Sequence, residues 1–174
     1  MAIRIRDNNR IPEALRNINK INSGRARVGY ITGDDYNGNQ ITVKGLARVH
    51  EFGVDIPVTD KMRGYLSAQF GVHLKASTTV IRIPERSFIR AGFDTGINST
   101  VSRVREFLPF VILGDVNVNL FFQTIGEEMK GKIQEFAVDL SSPANAPLTI
   151  EIKGSSNPLV DTGNMVRSME VVVD

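Results

Sequence analysis

The stretch that decides the fold class is Asn157-Pro158-Leu159-Val160-Asp161-Thr162-Gly163-Asn164-Met165-Val166-Arg167-Ser168-Met169-Glu170-Val171, followed by Val172-Val173. Asn157-Pro158 breaks whatever precedes it. Asp161 or Thr162 offers a side-chain oxygen to the free N–H groups of a helix start. Met165, Val166 and Met169 have the spacing of one apolar helical face. The valine run then reads as a β-strand. A strand here is expected to pair into a sheet, because a loose terminus would be polar. Helix and strand thus follow each other within one short span, which points to a mixed chain.

Upstream, Ile11-Pro12-Glu13 opens a helix with proline in its tolerated first turn. Ile11, Leu15, Ile18 and Ile21 give it an apolar stripe, and Asn22-Ser23-Gly24 ends it. Residues 25–32 (RARVGYIT) alternate like a strand, and residues 33–39 are turn-rich. Residues 42–52 form a second helix, stopped by Gly53. Residues 54–79, with Met62, Tyr65 and Leu66 at helical spacing, read as an insertion projecting from the main body. Val80 to Pro84 is a short strand ended by proline. Residues 85–94 read as a turn of helix. Helical periodicity covers 95–111 and 116–139, and the second is the expected core helix. Residues 141–156 read as a loop with an extended arm over Leu148 to Lys153. The strands are too few and too irregularly spaced for a doubly wound sheet. The expectation is therefore one α+β domain over residues 1–174: a small, mainly antiparallel sheet packed against helices, with a projecting insertion.

Composition narrows the function classes. The chain has 174 residues, 41% apolar and 23% charged, enough for both a core and a polar surface. It has no Cys, which removes disulfides, thiolate metal sites and cysteine nucleophiles together. No apolar run approaches the roughly 20 residues that cross a bilayer, and the N-terminus lacks a signal-peptide core. Net charge is only +2, which predicts no general affinity for nucleic acid. The basic residues Arg4, Arg6, Arg10, Arg16, Lys20, Arg25 and Arg27 nevertheless crowd the first segment, opposed by Asp7 and Glu13. A solvated face or an acidic protein neighbour explains such a run, and so does contact with DNA.

Catalytic constellations are weak. His50-Glu51 starts like a zinc-protease helix, but the required second histidine is absent, since position 54 is Val. Glu127, Glu128 and Glu135 supply carboxylates on a helix, yet Lys130 and Lys132 stand beside them and favour local ion pairs. Asp161-Thr162-Gly163 has the letters of an aspartic-protease loop, which needs two facing carboxylates and a preceding strand. A capped helix is the reading its flanks favour. The expectation is no enzyme, no metal and no cofactor.

Three motifs remain. Residues 45–53 (GLARVHEFG) end in His50, Glu51, Phe52 and Gly53. Residues 83–90 (IPERSFIR) contain Pro84, Arg86 and Phe88. Pro158, Leu159, Asp161, Thr162 and Gly163 are followed by Ser168. In this order and rough spacing, across most of the chain, they resemble the landmarks of tailed-phage tail-completion and neck proteins, a family that includes virion-morphogenesis and minor tail proteins. The resemblance implies a structural virion subunit in a homo-oligomeric, six-fold ring at the neck or head-proximal tail end, assembled in the host cytoplasm. Other neck and tail proteins would be its partners, with packaged DNA in the lumen near Arg4, Arg6, Arg10, Arg16 and Lys20. The motif residues themselves are expected to maintain the fold: Gly53 and Pro84 as stops, Phe88 and Leu159 as core anchors, Asp161 and Thr162 as a cap. Arg86 is expected to reach a carboxylate such as Glu51.

Overall fold

The computed structural model describes residues 9–33, 36–37 and 40–174. The chain is α+β, with helices dominating over three separate two-stranded antiparallel ribbons among the described residues. It divides into two compact units. One comprises Met1–Ile31, Arg90–Phe136 and Arg167–Asp174, the other Thr32–Ile89 and Ala137–Val166.

The first unit is organised by α4 (Phe88–Ile112) and α5 (Val118–Asp139). Their reversal is a glycine turn. Gly114 sits at φ 82°, its N–H bonds to the Val111 carbonyl, and the Asp115 N–H bonds to the Phe110 carbonyl, closing the helix end in Schellman fashion. Asn117 then caps α5, its Oδ1 accepting from the Asn119 N–H at 2.8 Å. The helices run back antiparallel. Glycine lets them approach closely: a Cβ at Gly92 would lie 2.9 Å from Ile133 Cα, and one at Gly96 would lie 2.8 Å from Lys132 Cβ. Beyond these, Val111, Val118 and Phe121 are buried together, with Val104, Leu108, Phe122 and Ile125 packed on them.

The valine run forms β6 (Glu170–Val173), which pairs antiparallel with β1 (Ala26–Gly29), Arg27 opposite Val172. This ribbon lies on α5, where Gly126 makes room for Val171. The strand expected over residues 25–32 is thus shorter than its alternating pattern.

Helix α1 (Ile11–Ser23) departs from expectation in its orientation. Of the four residues in its apolar stripe, only Ile21 packs on the core cluster. Ile11 is 67% exposed and Leu15 57%. The half-buried face is Ala14, Asn17 and Ile21, and Asn17 Nδ2 donates to the Val111 and Ile112 carbonyls at 3.1 and 3.3 Å. The last turn of α4 leaves carbonyl oxygens with acceptor capacity to spare, and the Asn17 amide docks α1 on them in place of a purely apolar contact.

In the second unit, α2 (Val43–Phe52) starts at Thr42, whose hydroxyl accepts from the Gly45 N–H. Short strands β2 (Tyr36–Asn37) and β3 (Gln40–Ile41) pair within the segment expected to be loop; positions 34, 35, 38 and 39 lie outside the described residues. Strand β4 (Val54–Pro57) pairs with β5 (Val80–Ile83), with Asp55 and Arg82 opposite and ion-paired at 2.8 Å. Between them the insertion carries α3 (Asp60–Phe70). Arg63 braces its return, donating to the carbonyls of Leu74, Lys75, Ala76 and Thr78.

The expected extended arm is a helix instead: α6 (Pro147–Lys153). Leu148, Ile150 and Ile152 alternate like a strand. Proline at the first helical position and Gly154 in the left-handed region at φ 70° frame a helix, and these terminal signals win.

Thr100 is 3% exposed, and its hydroxyl has no hydrogen-bond partner among the described residues. Crowding in the helix pair is local. Gly92→Ala forces a methyl against Ile133 backbone and should destabilise by about 1–3 kcal/mol, whereas Gly131→Ala meets open space and should stabilise by roughly 0.5–1 kcal/mol. Thermal and urea unfolding of the two variants checks this contrast.

Candidate functional site

The three motifs meet in the second unit. Helix α2 ends at Gly53, where φ is 69°. A Cβ there would sit 2.8 Å from the Glu85 N and 3.0 Å from the Ile83 carbonyl, so glycine is required twice over. This lets the Ile83-Pro84-Glu85 segment run against the helix end. The Arg86 N–H then bonds to the His50 carbonyl at 2.7 Å, joining the second motif to the first.

Glu51 is 3% exposed. Its Oε2 accepts from the Ile89 N–H at 2.8 Å, so the carboxylate caps the start of α4 from outside that helix. A negative group suits this position, because the first turn presents unpaired N–H groups and the positive end of the helix dipole. Phe88, fully buried, anchors the same turn, and its N–H bonds to the Arg86 carbonyl.

Arg86 is 4% exposed. Its guanidinium does not take Glu51 as the expected partner. Nε donates to the Pro143 carbonyl at 2.8 Å, and Nη2 donates to the Ala144 carbonyl and Asn145 Oδ1, both at 3.2 Å. Nη1 lies 3.3 Å from His50 Nδ1. Burial lowers the Arg86 pKa from its ordinary value. An arginine has no acceptor, so the His50 contact is a hydrogen bond only if Nδ1 is unprotonated. That assigns His50 the neutral tautomer with its proton on Nε2. The His50 pKa falls to about 4, first through burial, then through the charges of Arg86 and Lys153.

The third motif enters through Asn157. Its Oδ1 accepts from the N–H groups of Leu159 and Val160 at 2.9 and 2.7 Å, an Asx turn over Pro158. Its Nδ2 donates to the Val138 carbonyl. Its own carbonyl accepts from Asn145 Nδ2 at 3.2 Å and from Lys153 Nζ at 2.8 Å. A continuous path therefore runs from the end of α2 through Arg86 and Asn145 to Asn157. Lys153 has its pKa lowered, first by burial, with Asp161 opposing and Arg86 adding to the effect. Pro158 and Leu159 are buried anchors.

Thr162 supplies the expected cap: its hydroxyl accepts from the Asn164 N–H at the start of α7 (Asn164–Arg167). Gly163 sits at φ 74°. Asp161 and Phe52 are exposed, and Ser168 is half-buried.

The remaining candidates are dispersed. Glu127 takes Lys130 and Gln123, Glu135 takes Lys132 at 3.1 Å, and Glu128 lies 3.6 Å from Arg103. Among the described residues, no group of three or more His, Asp or Glu is placed to hold a metal ion. A shallow pocket of about 290 Å³ opens on the β4–β5 ribbon, lined by Phe52, Asp55, Arg82 and Glu85 among others. Arg10 pairs with Asp115 at 2.6 Å, while Arg16 and Lys20 are exposed on α1; Arg4 and Arg6 lie outside the described residues.

Sequence reasoning missed Asn145, Lys153 and the side-chain role of Asn157. Asn-Pro carried a usable signal, since an asparagine before proline commonly closes a turn through its side chain. Asn145 and Lys153 carried none, because their partners are distant in sequence. Comparison of the chain with protein-family models, curated proteins and solved structures finds no match in any of the three.

Two outcomes follow from this geometry. Arg86→Lys should cost roughly 2–4 kcal/mol, since the compact ammonium cannot reach acceptors that four residues spread around a planar guanidinium and buried carbonyls are left unpaired; Arg82→Lys on the exposed ribbon should change little, and denaturant unfolding compares them. His50 is disfavoured as a cation in the fold, so unfolded chain takes up its proton first. Stability is then full above about pH 6.5 and falls toward pH 4, by at most roughly 3 kcal/mol. In His50→Asn this slope should flatten, as measured by unfolding midpoints across that range.

Proposed function

We propose that the chain is a structural, non-catalytic subunit of a tailed-phage neck, acting in tail completion or head–tail joining as one member of a homo-oligomeric ring. Its partners on this reading are copies of itself and other neck and tail proteins, and its place is the virion after assembly in the host cytoplasm. The observation that supports the reading is the convergence of the three motifs. His50, Glu51 and Gly53, then Pro84, Arg86 and Phe88, then the Asn157–Gly163 turn lie far apart in sequence and share one hydrogen-bonded node. A signature made of such residues preserves a shape and leaves the contacting surface free to vary. The dispersal of the Glu127, Glu128 and Glu135 carboxylates into separate local pairs agrees with a role in assembly.

The test is electron microscopy of lysates from a phage that encodes this chain, with the coding region deleted. Filled heads beside unattached tails of normal length are expected. Overlong tails would replace joining with a tail-terminating role. Normal infectious particles would overturn the reading and favour DNA contact through Arg16 and Lys20, whose signature is duplex binding that weakens steeply with salt.

A further inference from the structure

Residues 141–156, with α6 among them, form a surface flap between two buried anchors. Ala137 is fully buried before it, and Pro158 and Leu159 are buried after it. Among the described residues, none from 141 to 156 is buried. Asn157 closes the base, its Nδ2 donating to the Val138 carbonyl at 2.6 Å. With so little apolar burial the flap depends on polar contacts, and segments of this kind open locally at low cost.

Those contacts converge on one clasp. Arg86 Nε and Nη2 hold the Pro143 and Ala144 carbonyls and Asn145 Oδ1. Asn145 Nδ2 and Lys153 Nζ both donate to the Asn157 carbonyl, which draws the two ends of the flap together. The remaining guanidinium nitrogen, Nη1, rests on His50 Nδ1 at 3.3 Å.

We infer that residues 141–156 are an acid-released flap, clasped by Arg86 while His50 is neutral and freed when His50 takes up a proton. Neutral Nδ1 accepts from Nη1, whereas a protonated imidazole carries hydrogens on both nitrogens and accepts nothing. The hydrogen bond then becomes a contact between two cations, and Arg86 cannot discharge. Lys153, at the end of α6, adds a third positive charge to the same site. The nearby acids are engaged elsewhere: Asp161 acts on Lys153, and Glu51, next to His50 on α2, accepts from the Ile89 N–H. Movement of Arg86 away from His50 withdraws its donors from residues 143–145, and the flap has no buried side chain to hold it down.

The direction in pH follows from the closed state. Burial and the two neighbouring cations hold the His50 pKa at about 4, and opening returns it to its ordinary 6.5. The open flap therefore binds the proton more tightly. Opening is favoured as pH falls through 6.5 and levels off below about 4, a gain of roughly 20-fold between pH 7 and pH 5. The clasp lies wholly within the second unit and does not depend on the neck reading.

Amide hydrogen exchange of the full chain, scaled at each pH to the rate of unstructured peptide, tests this. Peptides within residues 146–156 should lose protection by roughly 20-fold from pH 7 to pH 5 and regain it on return to pH 7. Peptides from α4 and α5 within residues 96–111 and 121–133 should keep theirs. In His50→Asn, which retains an acceptor near the Nδ1 position but does not titrate, flap protection should be the same at both pH values. Unchanged flap protection in the natural chain would overturn the proposal. Equal loss in the flap and the helix pair would also overturn it, since the whole chain would then be opening. The natural chain alone decides those two outcomes. A loss of the same size in His50→Asn would remove His50 as the trigger and overturn it too.

Discussion

A buried guanidinium constrains the second unit more than any other group. Arg86 has to replace its lost water with fixed acceptors, two backbone carbonyls and an amide oxygen. The acceptors come from residues 143–145, a segment with no regular structure of its own. The arginine thereby holds in place a loop that would otherwise have little to define it. It also dictates the state of His50, which must stay neutral to accept from it. Glu51, a buried acid, accepts from the first turn of α4. Two buried charges of opposite sign thus stabilise two different pieces of backbone, a division that favours specificity of chain path over raw ion-pair strength.

This division bears on what the motifs mean. Residues that resemble a family signature are often assumed to do chemistry. Here Gly53 permits a close crossing, Pro84 ends a strand, Phe88 fills a core position, Asn157 and Thr162 close turns, and Arg86 ties the pieces together. Each role is architectural. Large exposed apolar side chains lie outside the motifs, among them Ile11 and Leu15 of α1 and the aromatic pair Tyr65 and Phe70 of α3.

Local signals in the sequence were read well where they were self-contained. The helix from Thr42, the glycine stop at Gly53 and the valine strand over 171–173 follow from residues within one or two turns of each other. The α+β class followed from their alternation. Two readings failed for a shared reason. Leu148, Ile150 and Ile152 alternate like a strand, and Ile11, Leu15 and Ile18 stripe like a buried helix face, but periodicity reports only which residues could share an environment. Proline and glycine at the ends of α6, and the helix-end carbonyls that Asn17 meets, decided the outcome. The node around Arg86 was legible only as a set of unconnected motifs. Its links, Arg86 to Asn145 and Asn145 to Asn157, join residues with no fixed spacing.

The pairing of β1 with β6 has a consequence in time. Arg27 lies opposite Val172, so 144 residues are synthesised between the two partners. At ribosomal rates of about 5–20 residues per second, β1 waits roughly 7–30 s for its strand. During that interval its edge is open to other nascent chains. Arg25 beside it and Arg27 within it carry positive charge, a recognised way to discourage strand-to-strand sticking. In the finished ribbon Arg27 closes on Asp174. The same arginine thus guards the strand before its partner arrives and fastens the ribbon afterwards.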